Sequence, residues 1–134
     1  MSTLDKITPS DPRVTHETFT TTSSTTYHYL LANPSTTAEP AGTVLLIHGF
    51  PDLSFGWRYQ IPLLLSLNLR VVVPDMLGYG RTDAPSALEP YSLKHGADDM
   101  AQLMARVLIA SPNKRFILGG HDWGGMFVWR FVPA

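Results

Sequence analysis

The chain has 134 residues, 44% of them hydrophobic and 16% charged, with a formal net charge of -1 at pH 7. That composition fits one packed domain, and so small a charge offers no field to recruit nucleic acid or an anionic membrane. No cysteine is present, which excludes disulfide scaffolds, zinc–thiolate sites and thiol catalysis.

The segment from Met1 to Val14 has no charged stretch leading into an apolar one, so no secretory signal is visible. The longest apolar runs, Val44 to Ile47 and Ile61 to Leu65, fall far short of the roughly 20 residues that span a bilayer. A cytoplasmic location is the expectation. Val14 to Phe19 and Tyr27 to Leu31 are rich in aromatic and β-branched residues, which predicts two short strands. With Ser23-Ser24 as the turn they make an antiparallel hairpin. The Thr/Ser-rich run from Thr18 to Thr26 has a second reading, a solvated linker, and composition leaves that open.

From Thr43 the texture changes. Thr43 to Ile47, Arg70 to Val73 and Arg115 to Leu118 are apolar runs that stop at His48-Gly49, Pro74-Asp75 and Gly119-Gly120. Strands without polar alternation are buried on both faces, the mark of a parallel sheet covered by helices. Phe55 to Leu67 has helical spacing, with Pro62 either kinking the helix or starting a new turn. Ser92 to Ile109 predicts a longer helix. Leu93, Ala97, Met100, Met104, Val107 and Leu108 form its apolar face, and Lys94, Asp98, Asp99, Gln102 and Arg106 take the other. The predicted fold class is α/β: an N-terminal antiparallel hairpin, then a parallel sheet flanked by helices, with ligands at the carboxyl ends of its strands.

The third strand runs into Gly119-Gly120-His121-Asp122-Trp123-Gly124-Gly125 and then an apolar helix. Strand, glycine-flanked acid, helix is the nucleophile-elbow pattern with Asp at its centre instead of Ser. The bland reading is a tight turn whose Asp caps a helix, yet four glycines around one acid exceed what a cap needs. The first strand ends at His48-Gly49-Phe50-Pro51, on the same face of such a sheet. The backbone N–H groups of Phe50 and Trp123 then converge as an oxyanion hole. A carboxylate is ionised at neutral pH and attacks a saturated carbon without help from a base. The ester it forms must then be hydrolysed, which needs a base to activate water and an oxyanion hole. A Ser at this position would have pointed to an esterase instead.

These motifs, with Trp57-Arg58 and Gly78-Tyr79-Gly80-Arg81-Thr82-Asp83-Ala84-Pro85, make the chain resemble the N-terminal half of an α/β-hydrolase, from about Val14 to Arg130. It is most similar to an epoxide hydrolase. The resemblance implies Asp122 as nucleophile, Phe50 and Trp123 as oxyanion donors, and His48, Gly49, Pro51, Gly120, His121 and Gly124 as motif support. It also implies a cis bond between Phe50 and Pro51, a structural Asp75, and a Gly78 to Pro85 loop on the rim in which Arg81 and Asp83 pair as a solvated contact. A small apolar epoxide is the implied substrate, with no metal and no cofactor. Haloalkane dehalogenases resemble the Asp122-Trp123 pair but usually carry a polar halide-holding residue where Phe50 stands. Haloacid-type dehalogenases resemble the chain at Phe50 but tend to have Arg in place of Trp123.

The family pattern also breaks. No His follows Asp122, so the partner base, the charge-relay acid and the tyrosine-bearing cap are all without a counterpart here. His16, His28 and His95 sit away from any base position, and His48 and His121 are expected to be structural. None of Tyr27, Tyr29, Tyr59, Tyr79 or Tyr91 matches a cap position. Pro133 cuts the last helix short. The expectation is that residues 1–134 are the N-terminal part of a single truncated α/β-hydrolase domain, with cap and C-terminal half absent. Two readings stand: an epoxide hydrolase by descent that carries the nucleophile half of the site, or a non-catalytic α/β fragment. Coding sequence downstream of Ala134 would separate them. On either reading the strand at Arg115 to Leu118 becomes an unpartnered edge that favours aggregation.

Overall fold

The computed structural model describes residues 3–36 and 38–131. The hairpin forms from β1 (Val14–Thr20) and β2 (Thr26–Ala32), paired from Val14 opposite Ala32 to Thr20 opposite Thr26. Ser24 takes a left-handed φ of 66° at the turn, and the Thr21 hydroxyl accepts the Thr25 N–H at 3.1 Å. The Thr/Ser run is therefore a closed hairpin, not a linker.

Beyond it come β3 (Gly42–Ile47), α1 (Gln60–Ser66), β4 (Leu69–Pro74), α2 (Leu93–Val107), β5 (Ile117–Gly120) and α3 (Trp123–Phe131), with 3-10 turns at Ser54–Trp57 and Glu89–Tyr91. The sheet order is β1-β2-β4-β3-β5. β2 meets β4 antiparallel, while β3 pairs parallel with both β4 and β5. The parallel part is thus the three strands that the apolar runs predict, at the β5 end of the sheet.

Strand alternation sorts the core onto two faces. Leu45, Ile47 and Val72 face one side, with Met100, Leu103 and Met104 of α2 and Phe127 of α3. Val44, Leu46, Val71 and Val73 face the other, with Ile61 of α1 and Ile7 from the N-terminal segment. Full burial of each such side chain contributes roughly 1.5–3 kcal/mol.

Two sequence expectations need correction, and one open choice is decided. Of the two readings of Pro62, the start of a new turn is the one found. A 3-10 turn comes first, and Pro62 lies in the first turn of α1, where its missing N–H has no intrahelical partner to lose. β5 begins two residues later than predicted and extends through Gly119 and Gly120, because these pair with Leu46 and Ile47 up to the end of β3. Among the described residues it is the sheet edge, as the sequence led us to expect, and Ile117 is 56% exposed. Asp99 does not belong to the polar face of α2. It is 2% exposed and accepts the Tyr27 hydroxyl at 2.7 Å. The helix otherwise follows its pattern, starting where the Ser92 hydroxyl accepts the His95 N–H and carrying a Lys94–Asp98 pair on its outer side. Pro133 lies outside the described residues.

Candidate active site

Asp122 is the second of the two residues between β5 and α3 and has a left-handed φ of 59°. A non-glycine residue there is strained, and it persists because the surroundings over-determine it. Gly124 makes the turn possible: a Cβ on it would run into the carbonyl oxygen of Ile47. Gly49 does the same from the other side, since its Cβ would lie 2.5 Å from the Cβ of Asp122 and 2.7 Å from the His121 oxygen. The strand ends of β3 and β5 are thereby held against each other. Gly125 is different, because a Cβ there meets nothing nearer than the Gly120 oxygen at 4.0 Å.

The Phe50 amide donates to Asp122 Oδ2 at 3.0 Å. Phe50 and Pro51 are joined by a cis peptide bond. The Phe50 amide thus points at the carboxylate itself. The backbone N–H groups of Phe50 and Trp123, that of Phe50 foremost, hold the Asp122 carboxyl below the usual carboxylate range although it is exposed.

His48 is 4% exposed and fully committed, with Nδ1 donating to the Gly49 carbonyl at 2.8 Å and Nε2 accepting the Met76 N–H at 2.9 Å. Its role is to tie the Gly49–Pro51 loop to the end of β4. His121 is exposed and lines a cleft with Asp52, Trp57 and Gln60. Beside the elbow, a cavity of about 180 Å³ is lined by Gly49, Leu77, Tyr79, Leu93, Trp123 and Phe127. Its walls are mainly apolar side chains, suited to the organic body of a small electrophile.

Asp75 is 1% exposed at the end of β4, and one oxygen accepts the Ser54 N–H at 2.8 Å. The other accepts the Arg81 N–H at 3.1 Å and faces His28 Nδ1 at 2.7 Å. Burial pushes this carboxyl upward, but the bonds from Ser54, Arg81 and His28 outweigh it and leave it below the usual range. Arg81 and Asp83 form no pair among the described residues. Arg81 turns toward His16, and Asp83 accepts the Thr26 N–H at 2.8 Å. Sequence reading missed the joining of His16, His28 and Asp75, and also the buried Tyr27–Asp99 contact. Their partners lie far apart in sequence, and no local pattern marks them. No group of three or more His, Asp or Glu side chains suited to a metal ion occurs among the described residues. No helix among them is long and apolar enough to cross a membrane.

Comparison with known proteins gives a consistent result. Residues 42–133 match the family model for the alpha/beta hydrolase fold. An epoxide hydrolase of Neurospora crassa, srdG, is 55% identical over 132 residues, covering 96% of this chain and 38% of that protein. Epoxide hydrolase A of Mycobacterium tuberculosis is 40% identical over 92 residues, 68% of this chain and 27% of that one. Among solved structures, an epoxide hydrolase mutant from Vigna radiata superposes with a TM-score of 0.77 at 30% identity, over 89% of this chain and 34% of that one. The chain thus spans well under half the length of these relatives. Its match to the family model takes in the β3 loop, the central parallel strands and the elbow. On these grounds the chain belongs to the alpha/beta hydrolase fold family.

Proposed function

We propose that the protein hydrolyses small apolar epoxides to diols, with Asp122 as the nucleophile. The observation that carries this is the Asp122 carboxylate at a strained elbow with one oxygen already accepting the Phe50 amide. In the first step the free oxygen attacks an epoxide carbon. The carbon–oxygen bond of the ring breaks, and the ring oxygen leaves as an alkoxide that takes up a proton. The enzyme is left as an alkyl ester whose carbonyl oxygen lies against the Phe50 and Trp123 amides. In the second step water adds to the ester carbonyl carbon, and the tetrahedral oxyanion collects its charge on those same amides. Collapse releases the diol and restores the carboxylate. The kinship with epoxide hydrolases supports this substrate class over halides. So does the apolar Phe50 side chain, which is 64% exposed over the site.

Two outcomes test the reading. A reactive epoxide incubated with the chain should leave one specific adduct, which peptide mass mapping locates on Asp122. Labelling that survives Asp122→Asn unchanged would overturn the assignment. The ester should also persist in residues 1–134. His48 has both ring nitrogens engaged, and no His follows Asp122. Loss of a general base costs about 10²–10⁴-fold. Consumption of one equivalent of epoxide without release of diol is expected. Sustained turnover abolished by Asp122→Asn would mean that a base acts from within this chain.

A further inference from the structure

The contact between His16 and His28 has an unusual requirement. His16 Nε2 lies 2.9 Å from the Pro9 carbonyl oxygen, which can only accept, so Nε2 carries a proton. His28 Nδ1 lies 2.7 Å from the Asp75 carboxylate, which accepts, so Nδ1 carries a proton too. A neutral imidazole has a single N–H, and both rings have now used theirs on their outer sides. Yet His16 Nδ1 and His28 Nε2 face each other at 2.9 Å. With both rings neutral, two lone pairs would meet there. The ring centroids are 5.1 Å apart and the planes 21° from parallel, nearly the largest separation a 2.9 Å N–N contact permits. The rings therefore meet edge to edge along the N–N line, as a hydrogen bond requires, and are not face-stacked. A third proton must lie between them.

We propose that His16 and His28 share one proton, and that the resulting Asp75–His28–His16 relay positions the loop bearing Phe50. The groups facing the pair say where the proton sits. Arg81, from the Gly78 to Pro85 loop, points Nη1 at His16 Nδ1 from 3.5 Å, and a guanidinium only donates. His16 Nδ1 is thus the acceptor, and the proton belongs to His28 Nε2, next to the Asp75 carboxylate. In the N-terminal segment, Asp5 and Asp11 are both taken by Arg13. Asp83 is held by the Thr26 N–H. Glu17, beside His16 on β1, points to the opposite side of the strand. Among the described residues, Asp75 is then the one carboxylate in direct contact with the pair.

Asp75 passes the effect on. It holds the Ser54 N–H through Oδ1 and the Arg81 N–H through Oδ2, so it ties down the chain just after Pro51. His28 is buried, whereas His16 is exposed and opens the relay to solvent. When the shared proton leaves, two lone pairs face each other, the rings part, and the Asp75 carboxylate loses its orientation. Asp75 is a positioning residue, acting on the site through the Ser54 end of the loop. The consequence for an oxyanion hole rests on the function proposed above. The proton count does not.

The test is nitrogen spectroscopy of the chain labelled with ¹⁵N at its five histidines, in solution or sedimented, each signal assigned by single substitution. His48 is an internal standard, fixed as a neutral ring protonated at Nδ1. At neutral pH His28 should show two protonated nitrogens and His16 one bare Nδ1. In Asp75→Asn the pair should hold one proton fewer at the same pH. Two neutral rings, or two doubly protonated ones, in the unsubstituted chain would overturn the shared proton. For the positioning role, hydrogen exchange of residues 49–54 is compared between the chain and His16→Phe across pH 5–8. Protection that falls as pH rises in the chain, and has no such dependence in His16→Phe, is expected. The same pH profile in both would overturn the coupling. Failure of epoxide labelling leaves both readouts intact, so the two proposals fail separately.

Discussion

At the scale of single residues, the chain spends its buried charge in two different ways. Asp75 and Asp99 are equally hidden, but Asp75 collects two backbone amides and a histidine, whereas Asp99 has one neutral hydroxyl and a His95 nitrogen 3.7 Å away. Burial therefore wins at Asp99 and raises its carboxyl above the usual range, with Tyr27 and His95 only partly opposing it. Burial, followed by the Asp99 contact, likewise pushes the Tyr27 hydroxyl far up, so it stays a donor. The sign follows by linkage. A carboxyl raised on folding leaves stability intact below its unfolded value, about 3.9, and removes stability as pH rises through the folded value. Asp99→Asn keeps an acceptor for the Tyr27 hydroxyl and removes the buried charge. It should raise the melting temperature at pH 7 by a few degrees, the response expected from about 1 kcal/mol, and the gain should vanish below about pH 4. A lower melting temperature at pH 7 would mean that the His95 contact is a working ion pair. Nothing in the sequence separates Asp98 from Asp99. They are adjacent, and only the arrival of Tyr27 from β2 decides which one is inside.

At the scale of elements, the β5–α3 elbow shows which glycines the turn requires. A Cβ on Gly124 meets backbone of β3, which cannot swing aside as a flexible side chain would. Gly124→Ala should destabilise the fold by at least the roughly 1–3 kcal/mol of ordinary overpacking, and should move Asp122 off the Phe50 amide. Gly125→Ala has open space and lies within α3 at a φ that is not left-handed, so the better helix former should stabilise by about 0.5–1 kcal/mol. Denaturant unfolding of both variants checks the pair. Equal losses would show that the elbow is limited by something other than the Gly124–Ile47 approach. The elbow, the hairpin and the central strands were all legible because their causes are local: glycine, alternation, or an unbroken apolar run. The start of β5 was not legible. Arg115-Phe116 reads as strand by composition, but the strand begins only where Val44 to Ile47 offer partners, and pairing is a property of two segments.

At the scale of the whole molecule, the same distinction decides what the sequence tells about burial. Periodicity reports the faces an element is built to cover, and it reads β5 as buried on both sides. The sheet order puts β5 at the edge, in line with the unpartnered strand expected from the sequence, with Ile117 56% exposed, and the neighbouring α3 displays Trp129 at 83% and Met126 at 50%. Along the free side of β5 the backbone N–H and C=O groups have no strand partner among the described residues, and no Lys or Pro in the strand blunts that edge. Such an edge is a template for pairing with another copy, since each ladder bond formed would withdraw apolar surface from water at the same time. Purified residues 1–134 should therefore self-associate as concentration rises. Ile117→Lys places a charge at the exposed start of the edge strand, away from the elbow, and should shift the population toward monomer while leaving Asp122 labelling unchanged. Size-exclusion chromatography with light scattering over a dilution series reads this directly. A monomer at every concentration, with a sharp cooperative melt, would show that the two faces packed around β3 and β4 hold the fold without help and that the open edge is tolerated. If Ile117→Lys self-associates as strongly as the parent chain, the contact surface lies elsewhere, and the exposed Trp129 face of α3 becomes the next position to charge.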